Sequence, residues 1–364
     1  MRRAEPILFT PGPVRTPPLV AEYLARPPCN YHRQETFSEM FEATERHLKT
    51  LIGIKAPDDY YATIQTTTGT GANEGCVFAL QPHGKGLIVT NGFFGDRWVD
   101  QVRQNKIDHV VLAKPHDQPL DANEIGATLD ADPSIRWVFF TSHETRTGLK
   151  NPFEAIGQAC KQRGVLVAAD AISSAYGYPM DIEASGVDLV TASSAKAIMA
   201  APGLGITFVR KASVPAIKAA GQPRGYYADV IAECEKQMKD RQTRFAQPVV
   251  LHAALHAACI HLLEVGIDAH MARIQRQIAM LIDHLAGLGV HPLLDAKLRS
   301  NLAVNFRLPV GLPYSDFAAK MEQRGFYALY GIPGDQTHFQ LSTIGDLSDD
   351  QIRACQAALS QILG

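Results

Sequence analysis

A chain of 364 residues, 46% of them hydrophobic and 20% charged, is long enough for more than one core and too apolar to stay disordered. Its formal charge of −2 leaves no electrostatic footprint for nucleic acid, and no basic stripe interleaved with aromatics runs along it. No uninterrupted apolar run reaches about 18 residues, so no membrane-spanning helix is expected.

The segment before residue 20, with Pro11, Pro13, Pro17 and Pro18, reads as an extended arm rather than a regular element. From about residue 60, short apolar runs alternate with helix-length segments. The runs cover residues 61–65, 86–90, 109–112, 137–141, 165–170, 188–192 and 205–209. Continuous Val, Ile, Leu and Phe without alternation suits strands buried on both faces. Seven such units with helices between them, such as 71–80 and 152–162, predict an α/β domain on a mainly parallel seven-stranded sheet. Past residue 250 the pattern changes. Helices are expected over 249–265 and 272–288, and strand-like pieces at 301–306, 327–329 and 339–341. A last helix follows Ser348-Asp349-Asp350 and runs to Leu363, with Ser348 as its cap. The expected division is an arm plus large domain over 1–250 and a smaller α+β domain over 251–364.

The basic opening Met1-Arg2-Arg3 precedes no apolar h-region, so no signal peptide is expected. The cysteines at 29, 76, 160, 234, 259 and 355 form no CxxC pair and no His/Cys metal spacing. Reduced thiols, a cytoplasmic location and no metal site are expected.

Ligands of open α/β sheets bind outside the carboxyl ends of the strands. Behind the run at 61–65 stands Thr66-Thr67-Thr68-Gly69-Thr70-Gly71-Ala72-Asn73-Glu74. Read alone, it is either a phosphate cradle at a helix N-terminus or a capped helix with a flexible turn. Asn91-Gly92-Phe93-Phe94-Gly95-Asp96-Arg97-Trp98 offers Phe94 either to the core or to the face of a flat ligand. Ser142-His143-Glu144-Thr145-Arg146-Thr147-Gly148 is a polar cluster beyond a very apolar strand, either a turn network or a site. The run at 165–170 ends in Asp170, a buried carboxylate that needs a cation or a capping role. A pyridinium nitrogen is one such cation. Ser193-Ser194-Ala195-Lys196, then Ala197-Ile198-Met199-Ala200, sets one lysine among small apolar residues. Desolvation should lower its pKa and favour amine chemistry with a carbonyl.

With these motifs in order, the chain resembles the class V aminotransferases of pyridoxal-phosphate fold type I. Its strongest likeness is to the 2-aminoethylphosphonate–pyruvate transaminases, with alanine–glyoxylate and serine–pyruvate aminotransferases as relatives. The resemblance begins at Thr10-Pro11-Gly12-Pro13 and continues through the motifs above to Pro179-Met180-Asp181, Pro202-Gly203 and Ile344-Gly345. It implies pyridoxal 5'-phosphate as cofactor, held by Lys196 as a Schiff base, with Lys196 also moving the proton and Asp170 pairing with the ring nitrogen. It further implies Phe94 on the ring face, Thr68, Gly69, Thr70 and Ser193 around the phosphate, and Thr145 beside the ring's 3' oxygen. A homodimer with shared sites is implied too, in which Gln247 before Pro248 matches a phosphate-contacting position donated by the partner, where Ser or Thr is usual.

One departure bears on substrate. The family's Arg-Ile-Gly arginine, which grips an acidic group bidentately, is replaced here by Gln340 in Phe339-Gln340-Leu341-Ser342. Either another cation substitutes or the substrate differs: Arg146 is the candidate substitute or else an outward-facing turn residue, and Arg33 is a second candidate. The expected activity is transfer of an amino group from a small amine or amino acid to a 2-oxo acid such as pyruvate or glyoxylate. The alternative is a pyridoxal-phosphate lyase or elimination on a related amine. Presence of both Lys196 and Asp170 argues against a non-catalytic scaffold.

Overall fold

The computed structural model describes residues 6–331 and 334–364, so the opening Met1-Arg2-Arg3 lies outside the described residues. The strands among them are β1 (Ile7–Phe9), β2 (Tyr60–Thr66), β3 (Gly86–Thr90), β4 (His109–Ala113), β5 (Trp137–Thr141), β6 (His143–Glu144) and β7 (Leu149–Lys150). They continue with β8 (Leu166–Asp170), β9 (Leu189–Ser193), β10 (Leu204–Arg210), β11 (Val304–Arg307), β12 (Phe326–Ala328) and β13 (His338–Leu341). The helices are α1 (Pro18–Ala25), α2 (Glu35–Leu51), α3 (Gly69–Leu80), α4 (Phe93–Gln104), α5 (Ala122–Ala131), α6 (Phe153–Lys161) and α7 (Ile182–Ser185). After them come α8 (Val214–Ala219), α9 (Val230–Asp240), α10 (Val249–Val265), α11 (Ile267–Gly287), α12 (Tyr314–Gln323) and α13 (Asp349–Leu363).

All seven runs expected from the sequence join one sheet, in the order β2-β10-β9-β8-β5-β3-β4. The pairings β9–β8, β8–β5, β5–β3 and β3–β4 are parallel, and β10 runs antiparallel to both β9 and β2. Strands β3, β5 and β9 are buried at every residue, which explains their unbroken apolar sequences: helices cover both faces. The edge strand β4 is half-exposed. Because the parallel strands share one direction, Thr90, Thr141, Asp170 and Ser193 end along the same edge of the sheet. The antiparallel return of β10 turns residues 194–203 into a loop over that edge.

Helix α10 is buried in the same core as the sheet, against α1 and α2. At Gly266, with φ +84°, the chain bends by 86° into α11. That helix starts five residues earlier than the periodicity indicates. Its buried face, through Ile278, Leu281 and Leu285, enters a second core with Phe306, Phe317, Phe339 and Leu359. Strands β11 and β13 pair antiparallel there, and α13 starts with the expected cap, Ser348 and Gln351 forming a reciprocal box. The strand expected at 301–306 begins only at Val304.

The N-terminal arm departs from expectation. Residues 7–9 form a true strand, parallel to β12, and Phe9 is fully buried in the second core. The α1 helix begins already at Pro18, whose fixed φ suits a first helical position. Local sequence could not reveal the strand, because its partner lies more than 300 positions away.

All six cysteines are buried and free. Among the described residues, no single helix is long and apolar enough to cross a membrane, and no cluster of potential ligands could hold a metal ion.

Candidate active site

Lys196 sits in the β9–β10 loop, in a turn closed by Met199 N donating to Lys196 O at 2.8 Å and Ala200 N donating to Ser194 O at 2.9 Å. Its Nζ donates to the carbonyl of Pro11 at 2.9 Å. Burial pushes the amine down to about 8, helped by the positive charges of Arg146 and Arg97 and opposed by Asp170. The arm lies directly on this side chain: a Cβ on Gly12 (φ +128°) would stand 2.6 Å from Lys196 Cδ and 2.7 Å from Nζ. Only glycine leaves that space.

Asp170 ends β8, 5% exposed. Its two oxygens accept from Asn73 Nδ2 at 2.8 Å and from Ile172 N at 2.9 Å. Burial raises its pKa, while these hydrogen bonds and the charge of Lys196 pull it back. Asn73 is itself fixed by Thr191 Oγ1, which donates to its side-chain oxygen. The carboxylate is therefore oriented from two elements, and among the described residues no cation forms an ion pair with it.

The turn before α3 has Thr68 in extended conformation at the N-cap with no side-chain capping bond. Its hydroxyl and the first N–H groups of the helix remain available to an anion. Side chains are excluded close by: a Cβ on Gly69 would meet Ile172 Cδ1 at 2.5 Å, and one on Gly71 would meet Thr67 Oγ1. Thr70 Oγ1 accepts from Arg97 at 3.2 Å. Ser193 lines the same cavity. Gln247 does not reach it in its own chain; its side-chain oxygen accepts from Thr66 Oγ1 and approaches His252 Nε2 at 3.2 Å.

Phe94 opens α4, and Glu144 holds that helix start in place. The fully buried carboxylate accepts from Phe94 N at 3.0 Å and Gly95 N at 2.7 Å. With no cation among its hydrogen-bonding partners, burial drives the acid up to about 7, against the two backbone donors. Arg97 lies over the Phe94 ring, 4.9 Å from its centroid.

On the opposite wall, Thr145 Oγ1 and Ser173 Oγ share a hydrogen bond of 2.5 Å. His143 also lines the cavity, 2% exposed, and among the described residues neither ring nitrogen has a hydrogen-bond partner.

The substrate candidates fall differently. Arg146 points toward the second core: its guanidinium donates to the carbonyls of Tyr330 and Gly331, both at 3.2 Å, and lies over the Tyr330 ring at 4.8 Å. It remains near enough to lower the Lys196 pKa. Gln340 is fully buried; its amide donates to Thr145 O at 2.6 Å, tying the Thr145–Arg146 turn to β13. Arg33 does not line the cavity of its own chain and donates to Gln242 Oε1 and Thr243 O at 3.4 and 3.2 Å.

Lys196, Asp170, Thr68, Gly69, Thr70, Phe94, Thr145 and Ser193 thus converge on one cavity of about 270 Å³, whereas Arg146, Gln247, Arg33 and Gln340 do not line it. Pyridoxal phosphate fits what is present. The side-chain-free turn and its donors suit a phosphate, the Phe94 face and oriented buried acid suit a protonated aromatic ring, and the desolvated amine suits a carbonyl. Gly12, Asn73, Arg97, His143 and Ser173 also line the cavity. All but Ser173 stand inside a motif noted in the sequence, yet no local signal shows that Asn73, one turn into a helix, reaches Asp170.

Residues 21–327 match the family model described as aminotransferase class-V. A 2-aminoethylphosphonate–pyruvate transaminase of Burkholderia pseudomallei (strain 1106a) is 31% identical over 370 residues, covering 100% of this chain and 98% of the relative. A subgroup IV aspartate aminotransferase from Thermus thermophilus superposes with a TM-score of 0.86 at 27% identity, covering 98% of each chain. An alanine–glyoxylate aminotransferase from Nostoc sp. gives 0.91 at 21% identity, covering 100% of this chain and 97% of that one. This last likeness shows the fold alone.

Proposed function

The chain belongs to the class V aminotransferase family, and from that premise we propose that it is a pyridoxal-phosphate transaminase acting through Lys196. It moves an amino group from a small amine or amino acid to a 2-oxo acid such as pyruvate or glyoxylate. The observation that carries this reading is the convergence of Lys196 and Asp170 on one cavity, with the amine pushed down to about 8.

When bound, the cofactor supplies a carbonyl that condenses with amines and a ring that withdraws electrons from the bond being broken. The chain's residues do the rest. Lys196, with a substantial neutral fraction near pH 8, provides the nucleophilic nitrogen and afterwards a base able to carry a proton. Asp170, oriented by Asn73 and Ile172, would keep a proton on the ring nitrogen. Thr68, Gly69, Thr70 and Ser193 would hold the phosphate, Phe94 would pack on the ring, and Thr145 would lie beside its oxygen. The Pro11–Gly12 segment covers Lys196 and limits water.

The relative's printed name makes a 2-aminoethylphosphonate-like amine the first donor to test, with pyruvate as acceptor. An acidic substrate needs a cation in place of the missing arginine. Arg146 is our candidate, and Arg33 is a second that would act from a partner subunit in a homodimer. Gln247 would likewise reach a phosphate only across such an interface. Gln340, its amide engaged by a backbone carbonyl, favours keeping one further reading: a lyase or elimination that needs no keto-acid clamp.

The test is spectrophotometric. Protein reconstituted with pyridoxal phosphate should show a visible band that Lys196→Ala abolishes, and an amino donor should discharge it while a 2-oxo acid restores it. If no donor discharges the band, the transaminase reading fails; ammonia release without any acceptor would select the lyase.

A further inference from the structure

His143 carries an inference that deepens the proposed function and rests on it. A pyridoxal ring has its carbonyl carbon opposite its nitrogen, the phosphate arm on one flank, and a hydroxyl and a methyl on the other. With the carbonyl at Lys196, the nitrogen at Asp170 and the phosphate at the Thr68–Thr70 turn, the hydroxyl edge must face the remaining wall. Lining residues not yet given a part of the ring include Thr145 and Ser173, which bond one another, and His143 two residues before Thr145.

Thr145 and Ser173 share one hydrogen bond at 2.5 Å, which uses the hydrogen of one hydroxyl and leaves the other's free. His143 does not share in that bond. It precedes Thr145 by two residues and both line the cavity, while Glu144 between them reaches the start of α4. The imidazole is buried with both nitrogens unpartnered. Burial, followed by the charges of Lys196 and Lys150, pushes it down to about 3. It is therefore neutral at working pH, with one N–H to donate and one lone pair. A buried donor left unmade is costly, and the one polar group that the bound ring brings to this wall is its hydroxyl oxygen.

We propose that His143 donates a hydrogen bond to the ring oxygen of the bound cofactor and so sets the pH at which the Lys196-linked chromophore takes up its proton. A donor there favours the form carrying full negative charge on the oxygen, and so lowers the midpoint of that titration. His143 is in this sense a cofactor-binding residue that tunes the site without exchanging a proton with substrate.

The experiment compares wild type, His143→Leu and His143→Asn by absorbance from pH 5 to 10 and by cofactor titration, with circular dichroism to verify folding. Losing one charge-assisted hydrogen bond should raise the midpoint by about one pH unit and weaken cofactor binding about tenfold in His143→Leu. His143→Asn, which retains a donor, should recover most of both. A midpoint and an affinity unchanged in His143→Leu overturn the proposal. Should the variants not fold, ring-nitrogen NMR of His143 in the wild type decides, since cofactor must shift one nitrogen; no shift also overturns it. A Lys196-dependent band that ignores His143 sinks this inference alone, whereas absence of that band in the wild type sinks the functional reading and this inference together.

Discussion

Gly12 and Lys196 occupy adjoining space so tightly that the smallest side chain on the glycine would overlap the lysine, its Cβ falling 2.7 Å from Nζ. The glycine also adopts φ +128°, a region L side chains rarely enter. Gly12→Ala must therefore displace either the arm or the amine. We expect cofactor affinity to fall at least about tenfold while circular dichroism stays unchanged. Absorbance titration with pyridoxal phosphate checks this, and equal affinity would show that the arm yields freely.

The lowered pKa of Lys196 gives a pH dependence with a definite sign. Only the neutral amine attacks a carbonyl, so the rate at which the cofactor-free protein traps a small aldehyde should rise through pH about 8 and level off above it. An ordinary lysine would keep rising toward about 10.4. Reductive trapping followed by mass spectrometry of the Lys196 peptide measures the profile. A midpoint near that of free lysine would mean that burial does not desolvate the amine.

Glu144 should make stability fall with rising pH. Burial raises its acid from the ordinary carboxylate range to about 7. Its contribution is thus fully present below the unfolded pKa and lost as pH rises through the folded one. Between pH 5 and 8 the wild type should lose on the order of 2 kcal/mol relative to Glu144→Gln. Urea unfolding of both proteins at the two pH values gives the double difference; a value near zero would mean that the carboxyl titrates normally.

Arg146 separates charge recognition from chemistry. Its guanidinium is held by two backbone carbonyls and the Tyr330 ring, so its place is fixed before substrate arrives. Arg146→Ala should raise KM for acidic donors or acceptors about tenfold or more, with a smaller effect on kcat and none on neutral amines. Steady-state kinetics on paired acidic and neutral substrates makes the comparison. Equal changes for both would remove Arg146 from substrate binding.

The large sheet was readable because strands such as β5 and β9 are buried on both faces, and an unbroken apolar run that stops at Asp170 or Ser193 marks both the strand and its functional end. The lysine was readable for the same reason, as one charge in an apolar stretch. Pairings made at a distance were not. Nothing near Ile7–Phe9 announces a partner at 326–328, and the two-residue strand carrying His143 is too short to show a face. Gln340 was visible as a missing arginine, but its bond to the Thr145 carbonyl depends on how β13 meets the 145–146 turn, which no spacing encodes.

The pairing of β1 with β12 also orders events in time. Phe326 lies 319 positions after its register partner Ile7, and Ser342, whose N–H donates to the Phe9 carbonyl, comes later still. On a ribosome adding about 5–20 residues per second, the arm waits roughly 15–60 s before its docking strand exists. During that interval the sheet and Lys196 can form, but the Pro11–Gly12 cover over the amine cannot be anchored. A chain that has not yet reached residues 326–342 therefore lacks the partners that anchor the cover over its reactive nitrogen.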